Sequence, residues 1–185
     1  EMLVLDEAHK LRNLYGTGDA CSSYGNRNFW RIFSDWFGDP RSGSVFVRSQ
    51  SDSTVWLIAG TRRHAVGDMA TLNRFSRLGE CELVPQERPD RLDVGVPLGR
   101  TVLEPETGTV YFVDANIALP MTSCAQVADF GGSCSALPSI ASSLRQRLVL
   151  GPTMTNGYET TDGRRFYITG GTKREVFDSS ALAAE

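Results

Sequence analysis

Apolar positions in this chain fall in short runs, and one run recurs at a fixed interval. Val55-Trp56-Leu57-Ile58 returns 55 positions later as Val110-Tyr111-Phe112-Val113, and after another 55 as Arg165-Phe166-Tyr167-Ile168. Each copy meets a small turn: Ala59-Gly60, Asp114-Ala115, Thr169-Gly170. Each is preceded by a shorter run and a polar break: Val45–Arg48 before Ser49–Ser53, Thr101–Glu104 before Pro105–Gly108, Gly157–Thr160 before Asp162-Gly163. Short runs bounded by Gly, Pro, Asp and Ser read as hairpins. Each small turn leads to a third short strand, and then to a short helix: Asp68–Arg77, Ser123–Phe130, and a third from Asp178 onward. Asp68, Ser123 and Asp178 suit the N-cap, where a side-chain oxygen accepts a free backbone N–H. The period predicts a mainly β fold of tandem β-hairpin-plus-short-helix repeats of about 55 residues, propeller-like or a short solenoid. The repeat domain covers 41–185, with units at about 44–98, 99–152 and 153–185.

Residues 1–40 have a different texture and predict a helical N-terminal segment, the end of an upstream domain or a cap. Val4, Ala8, Leu11 and Tyr15 form a helical stripe that Gly16-Thr17-Gly18-Asp19 breaks. A second helix, Asn28–Phe37, gathers Phe29, Trp30, Phe33, Trp36 and Phe37 mainly on one face. It stops at Gly38-Asp39-Pro40, because proline forces the residue before it out of helix. At roughly 25 cal/mol per Å², that aromatic area must be buried, which predicts docking onto the repeats or onto a neighbour.

Composition narrows the function classes. The chain has 185 residues, 41% hydrophobic and 22% charged, as in an ordinary soluble domain. A net charge of -3 lacks the basic footprint of a nucleic-acid binder, so no nucleic-acid partner is expected. No apolar run reaches the length of a membrane span. Four cysteines allow three pairings. Cys81 aligns with Cys134 at a shift of 53, and the position matching Cys124 lies near Met69. That makes Cys124–Cys134 the local bridge and leaves Cys21–Cys81, which ties the N-terminal segment to the first unit. Paired cysteines predict an oxidising compartment. Zinc is the rival reading, but no CxxC pair occurs and only His9 and His64 could assist, so no metal or cofactor is assigned.

Candidate binding residues sit on the repeated hairpins. Trp56, Tyr111 and Phe166 occupy matching places; exposed, they would stack on sugar rings, and buried, they would fill a core. Their apolar strand neighbours Leu57, Phe112 and Tyr167 favour the core. Arg62-Arg63 and Lys173-Arg174 follow the small turns and could grip carboxylates or phosphates of an anionic wall polymer, or simply form a solvated basic turn. The second unit carries Asn116-Ile117-Ala118 instead. Gly16–Asp19 lacks the lysine of a phosphate loop, and His64 reads as structural or exposed. No catalytic triad or carboxylate pair stands out, so no catalytic residue is assigned.

Two stretches resemble known families. Met2-Leu3-Val4-Leu5-Asp6-Glu7-Ala8-His9 resembles the Walker B segment of DEAH-box helicases. That resemblance implies magnesium at Asp6 and a water oriented by Glu7, but no phosphate-loop motif precedes it and no arginine-finger motif follows. The stretch Leu14–Gly38, with Asn26-Arg27-Asn28-Phe29-Trp30, is similar to the closing segment of the hydrolase-like domain in secreted actinobacterial cell-wall proteins. The hairpins Ser53–Ile58 and Arg165–Val176 are similar to the repeats that follow it there. This second resemblance implies a non-catalytic, extracellular, wall-associated module. It would anchor a peptidoglycan hydrolase domain lying upstream, on cell-wall polysaccharide or peptidoglycan. A hydrolase remnant and a DEAH-type ATPase fragment are the competing expectations.

Overall fold

The computed structural model describes residues 45–49 and 51–177. The predicted N-terminal segment 1–40, including Asp6, Glu7 and Cys21, lies outside the described residues, as does the helix predicted from Asp178. The described chain is mainly β, in open sheets with a few short helices and no barrel.

The first sheet contains β1 (Phe46–Ser49), β2 (Val55–Ala59), β3 (Arg62–Val66), β4 (Cys81–Val84) and β5 (Asp93–Val94), ordered β4-β1-β2-β3-β5. The second contains β6 (Thr101–Glu104), β7 (Thr109–Asp114), β8 (Ile117–Pro120) and β9 (Val149–Leu150), in sequence order. The third contains β10 (Gly157–Glu159), β11 (Arg165–Thr169) and β12 (Thr172–Val176). Each sheet is built on an antiparallel three-strand meander. In the first two sheets a two-residue strand pairs in parallel with the third meander strand: β5 beside β3, β9 beside β8.

The tight turns set the register. Gly60-Thr61 lies between the paired residues Ala59 and Arg62, Ala115-Asn116 between Asp114 and Ile117, and Gly170-Gly171 between Thr169 and Thr172. Such two-residue turns match the right-handed strand twist when the first central residue has φ above zero. That residue is Gly60 (φ 62), Ala115 (φ 46) or Gly170 (φ 55). Alanine is strained there because its Cβ crowds the following carbonyl. Ala115→Gly is therefore expected to raise the unfolding free energy by about 0.5–1 kcal/mol, relief of αL strain outweighing the added chain entropy. Equilibrium urea unfolding measures it; a lower midpoint would contradict the turn geometry.

The two described helices of the pattern start where their caps require. Asp68 caps Met69–Arg74 by accepting from Thr71 N at 2.6 Å, and Ser123 caps Cys124–Asp129 by accepting from Gln126 N at 3.1 Å. The first ends earlier than its predicted limit at Arg77. Phe75 leaves helical geometry, and Ser76–Leu78 tighten into one 3-10 turn that brings Leu78, fully buried like Phe75, into the core.

One apolar core runs under the first two sheets and includes Phe46, Leu57, Phe75, Val102, Tyr111 and Ile140. A smaller cluster forms around Phe112, Met121 and Val127, with Phe130 and Cys134 against it. The Cys124–Cys134 disulfide is present, closing ten residues of chain. Non-reducing peptide mapping is expected to recover these two cysteines in one linked fragment, and two free thiols there would overturn the pairing. Cys81 is also disulfide-bonded; its predicted partner Cys21 is outside the described residues. Among the described residues no helix is long and apolar enough to cross a membrane.

Candidate functional site

The candidate cations and aromatics are brought together pairwise within the first and third sheets. Register decides which. Counted from the tight turns, Arg63 matches Lys173 and His64 matches Arg174, one position off the letter-by-letter pairing of Arg62-Arg63 with Lys173-Arg174. Arg63 lies opposite Ile58 and diagonal to Trp56, with its guanidinium carbon 4.6 Å from that ring's centroid. Lys173 lies opposite Ile168 and diagonal to Phe166, with its ammonium 3.7 Å from the ring centroid. Over Tyr111 the cation is Arg145, at 5.3 Å. Each of the three matching aromatics thus carries a cation on its face, a favourable use of the ring quadrupole.

This geometry changes several expectations. Tyr111 is 6% exposed, so the reading of it as a sugar platform is corrected: its ring belongs to the main core and its hydroxyl donates to Glu104 Oε2 at 3.0 Å. Trp56 is half-buried under Arg63 and does not offer a free face. Arg63 is held on two sides, by Trp56 and by an ion pair to Asp90 Oδ1 at 2.6 Å, so it is not a spare cation for a polymer. The Arg63 guanidinium and the Gln86 amide hold the Asp90 carboxyl below its ordinary pKa. Arg62, Lys173 and Arg174 remain exposed. Around Lys173 the third sheet gathers Tyr158, 38% exposed, stacked on Phe166 at 5.5 Å between centroids, with Arg164 5.6 Å from the Phe166 centroid.

Sequence reasoning passed over the buried polar groups. Glu104 is 3% exposed and accepts from Thr107 Oγ1 at 2.8 Å and Tyr111 Oη at 3.0 Å, with Arg145 Nε 3.9 Å away. A glutamate closing a β-strand just before Pro105 carries no pattern that marks it as buried. Asp129 Oδ1 accepts from Gly170 N at 2.7 Å and Oδ2 from Asn156 Nδ2 at 2.8 Å, fastening the third sheet to the second helix. Among the described residues no three His, Cys, Asp or Glu groups are placed to hold a metal ion.

His64 is buried on β3, at 1% exposure. Its Nδ1 lies 2.6 Å from Val96 O, so in the neutral ring Nδ1–H donates there and Nε2 is left buried without a partner. Burial, and then the positive charge of Arg62, pull its pKa below 6.5, against the Val96 contact, which raises it. A base whose folded pKa lies below its unfolded one binds fewer protons when folded. Stability is complete above the unfolded pKa and falls as pH drops below about 6.5, by up to about 1.4 kcal/mol per unit. His64→Leu, which installs the residue found at the matching place (Leu119), is expected to flatten urea midpoints between pH 7 and 5. An unchanged pH dependence would remove His64 as the cause.

No family model matches the chain and no curated protein matches it. Among solved structures it is matched to a chain of the periplasmic assembly from the ESX-5 inner membrane complex, at 8% identity over 73% of this chain and 52% of that one, TM-score 0.27. A second match is a chain of an intact ESX-5 inner membrane complex, at 9% identity over 95% of this chain and 51% of that one, TM-score 0.28. The chain therefore spans about half the length of either. At these TM-scores neither match defines a fold or a function for it.

Proposed function

We propose that this chain is a non-catalytic, extracellular binding module that holds a neighbouring peptidoglycan hydrolase on cell-wall peptidoglycan or an attached glycan. Its three sheets are copies of one unit in a short solenoid-like array. The observation that carries the reading is a contact made twice at the same step. Asn116 N in the turn of the second sheet donates to Arg74 O at 2.9 Å, and Gly171 N in the turn of the third donates to Asp129 O at 2.9 Å. Donors and acceptors are both 55 residues apart, so each turn docks on the end of the preceding helix. Arrays of this kind present extended surfaces for polymers, and weak contacts gain from being repeated.

The Cys124–Cys134 disulfide supports an oxidising location. The contact residues are Arg62, Lys173 and Arg174, exposed cations suited to carboxylates or phosphates of a wall polymer, with Tyr158 as the accessible ring beside Lys173. Co-sedimentation with purified cell walls tests the reading. The protein is expected to pellet with walls and to release no reducing ends. The triple variant Arg62→Ala, Lys173→Ala, Arg174→Ala is expected to lower the bound fraction severalfold while losing no more than about 1 kcal/mol of stability, the contribution of the Lys173 cation over Phe166. Protein left in the supernatant would overturn the proposal, and new reducing ends would replace it with a hydrolase.

A further inference from the structure

The β5 segment holds on to the first sheet with its backbone and little else. Asp93 N and Gly95 N donate to Thr61 O and Arg63 O at 3.1 and 2.8 Å, and Leu98 N donates to Ala65 O at 2.8 Å. Asp93, Val94, Val96 and Pro97 are exposed, so lifting them from β3 sacrifices little apolar burial. Both ends are anchored: Pro89 is fully buried before the segment and Leu98 is buried after it. Residues 93–96 thus form a strap between two fixed points, and a segment with few buried contacts is one that opens locally.

Beneath the strap lies His64. A Cβ on Gly95 would stand 2.5 Å from its ring, so the strap backbone rests directly on the imidazole. Nδ1 is held on Val96 O, and Nε2 is buried with no partner among the described residues. The neutral ring suits this site, but a proton on Nε2 would bury a donor and a charge with nothing to receive them. Leu57 stands opposite on β2, and Arg62, two places back on β3, is a charge that opposes protonation. Arg63 and Asp90 are paired with each other, and Asp93 of the strap stands at the register of Arg62. The helix Met69–Arg74, packed on β3, brings Asp68 and Arg74, which are engaged by Thr71 N and Asp114. Among the described residues no carboxylate bonds the ring. In the second sheet the matching strap, with Val149 N and Gly151 N on Asn116 O and Ala118 O, lies over Leu119, which cannot titrate.

We propose that the strap 93–96 is an acid-released latch: protonation of His64 at Nε2 lifts it from β3 and leaves the rest of the first sheet folded. Lifting lets water reach Nε2 and bares Thr61 O and Arg63 O. The strap re-forms when the ring loses that proton, since histidine changes charge near neutral pH. The inference is independent of wall binding.

Native-state amide hydrogen exchange of the full chain, read by NMR at low urea and corrected for the intrinsic rate at each pH, tests it. Gly95 N–H is expected to exchange through a local opening whose rate does not respond to low urea. Its protection is expected to fall about threefold or more between about pH 7 and pH 5, because the open strap binds the proton more readily than the closed one. Ile58 N–H, which bonds Val45 O inside the sheet, is expected to stay better protected throughout and to exchange faster as urea is added, the mark of global unfolding. His64→Leu is expected to abolish the fall at Gly95, and the wild-type measurement stands without it. Equal protection and equal urea slopes at Gly95 and Ile58 would mean that the strap leaves only with the whole sheet. Constant protection of Gly95 across that pH range would mean that His64 does not release it. Either result overturns the proposal.

Discussion

Glu104→Ala is expected to lower the unfolding free energy by about 3 kcal/mol, the low end for removing one partner from a buried charge cluster. Glu104 ends β6, and its carboxylate is turned under the second sheet, where Thr107 Oγ1 and Tyr111 Oη donate to one oxygen and Arg145 faces the other. Alanine would leave the Tyr111 hydroxyl and the Arg145 guanidinium facing a void. Glu104→Gln keeps the volume and an acceptor, so its cost is about 1 kcal/mol, as is that of Tyr111→Phe. The pH dependence separates the charge from the packing. The Ser142 hydroxyl is the largest influence holding the Glu104 pKa below 4.5; Thr107, Tyr111 and Arg145 act in the same direction, and burial opposes them. An acid whose folded pKa is depressed contributes stability that is present above the unfolded pKa and lost as pH falls through the folded one. Wild type is thus expected to lose stability below about pH 4.5 more steeply than Glu104→Gln. Urea midpoints at constant m-value measure both effects. A loss in Glu104→Ala no larger than the about 0.5 kcal/mol of an ordinary surface change would mean the cluster is not formed.

The hairpins, the tight turns and both described helix caps were legible in the sequence because each depends on residues close together in the chain. Asp68 and Ser123 mark helix starts by their own side chains, and Asp162-Gly163 marks a turn in which Gly163 has φ 81. The short parallel strands β5 and β9 were not legible. β5 and β9 are two residues each, too short for any period, and their partners lie about thirty residues upstream. The basic step misled for a related reason. Thr61-Arg62-Arg63 and Thr172-Lys173-Arg174 match as letters, but pairing across the turns makes Thr61 a turn residue and Thr172 a strand residue. One place of slip moves a side chain to the other face of a sheet. That is why Lys173, and not Arg174, shares the role of Arg63 over an aromatic ring.

The cations over Trp56, Tyr111 and Phe166 also explain why the aromatic row does not present itself as a sugar platform. The Arg145 guanidinium reaches Tyr111 from a different segment of chain, so the pairing at the second ring was not visible on the strand itself. Among the described residues of the three sheets, it is in the third, where Tyr158 extends the stack outward, that a ring next to a cation stays accessible.

Gly95→Ala is expected to cost about 2–3 kcal/mol, the upper part of the range for forcing extra volume into a packed site. The added carbon would stand 2.5 Å from His64 Cε1 and 2.6 Å from Nδ1, well inside contact distance. The ring cannot easily yield, because Nδ1 is fixed on Val96 O and the side chain is 1% exposed. Gly151→Ala meets two side chains instead, Leu119 Cδ2 at 2.5 Å, which can rotate, and Ile117 Cγ2 at 2.8 Å on an exposed residue that can shift; about 1–2 kcal/mol is expected there. The difference between two glycines in one register position is therefore set by what faces them. A double-mutant cycle isolates it: in His64→Ala the added methyl has room, so Gly95→Ala should cost about 1–2 kcal/mol less than in wild type. Additive losses in the cycle would mean that the β5 segment does not lie against His64.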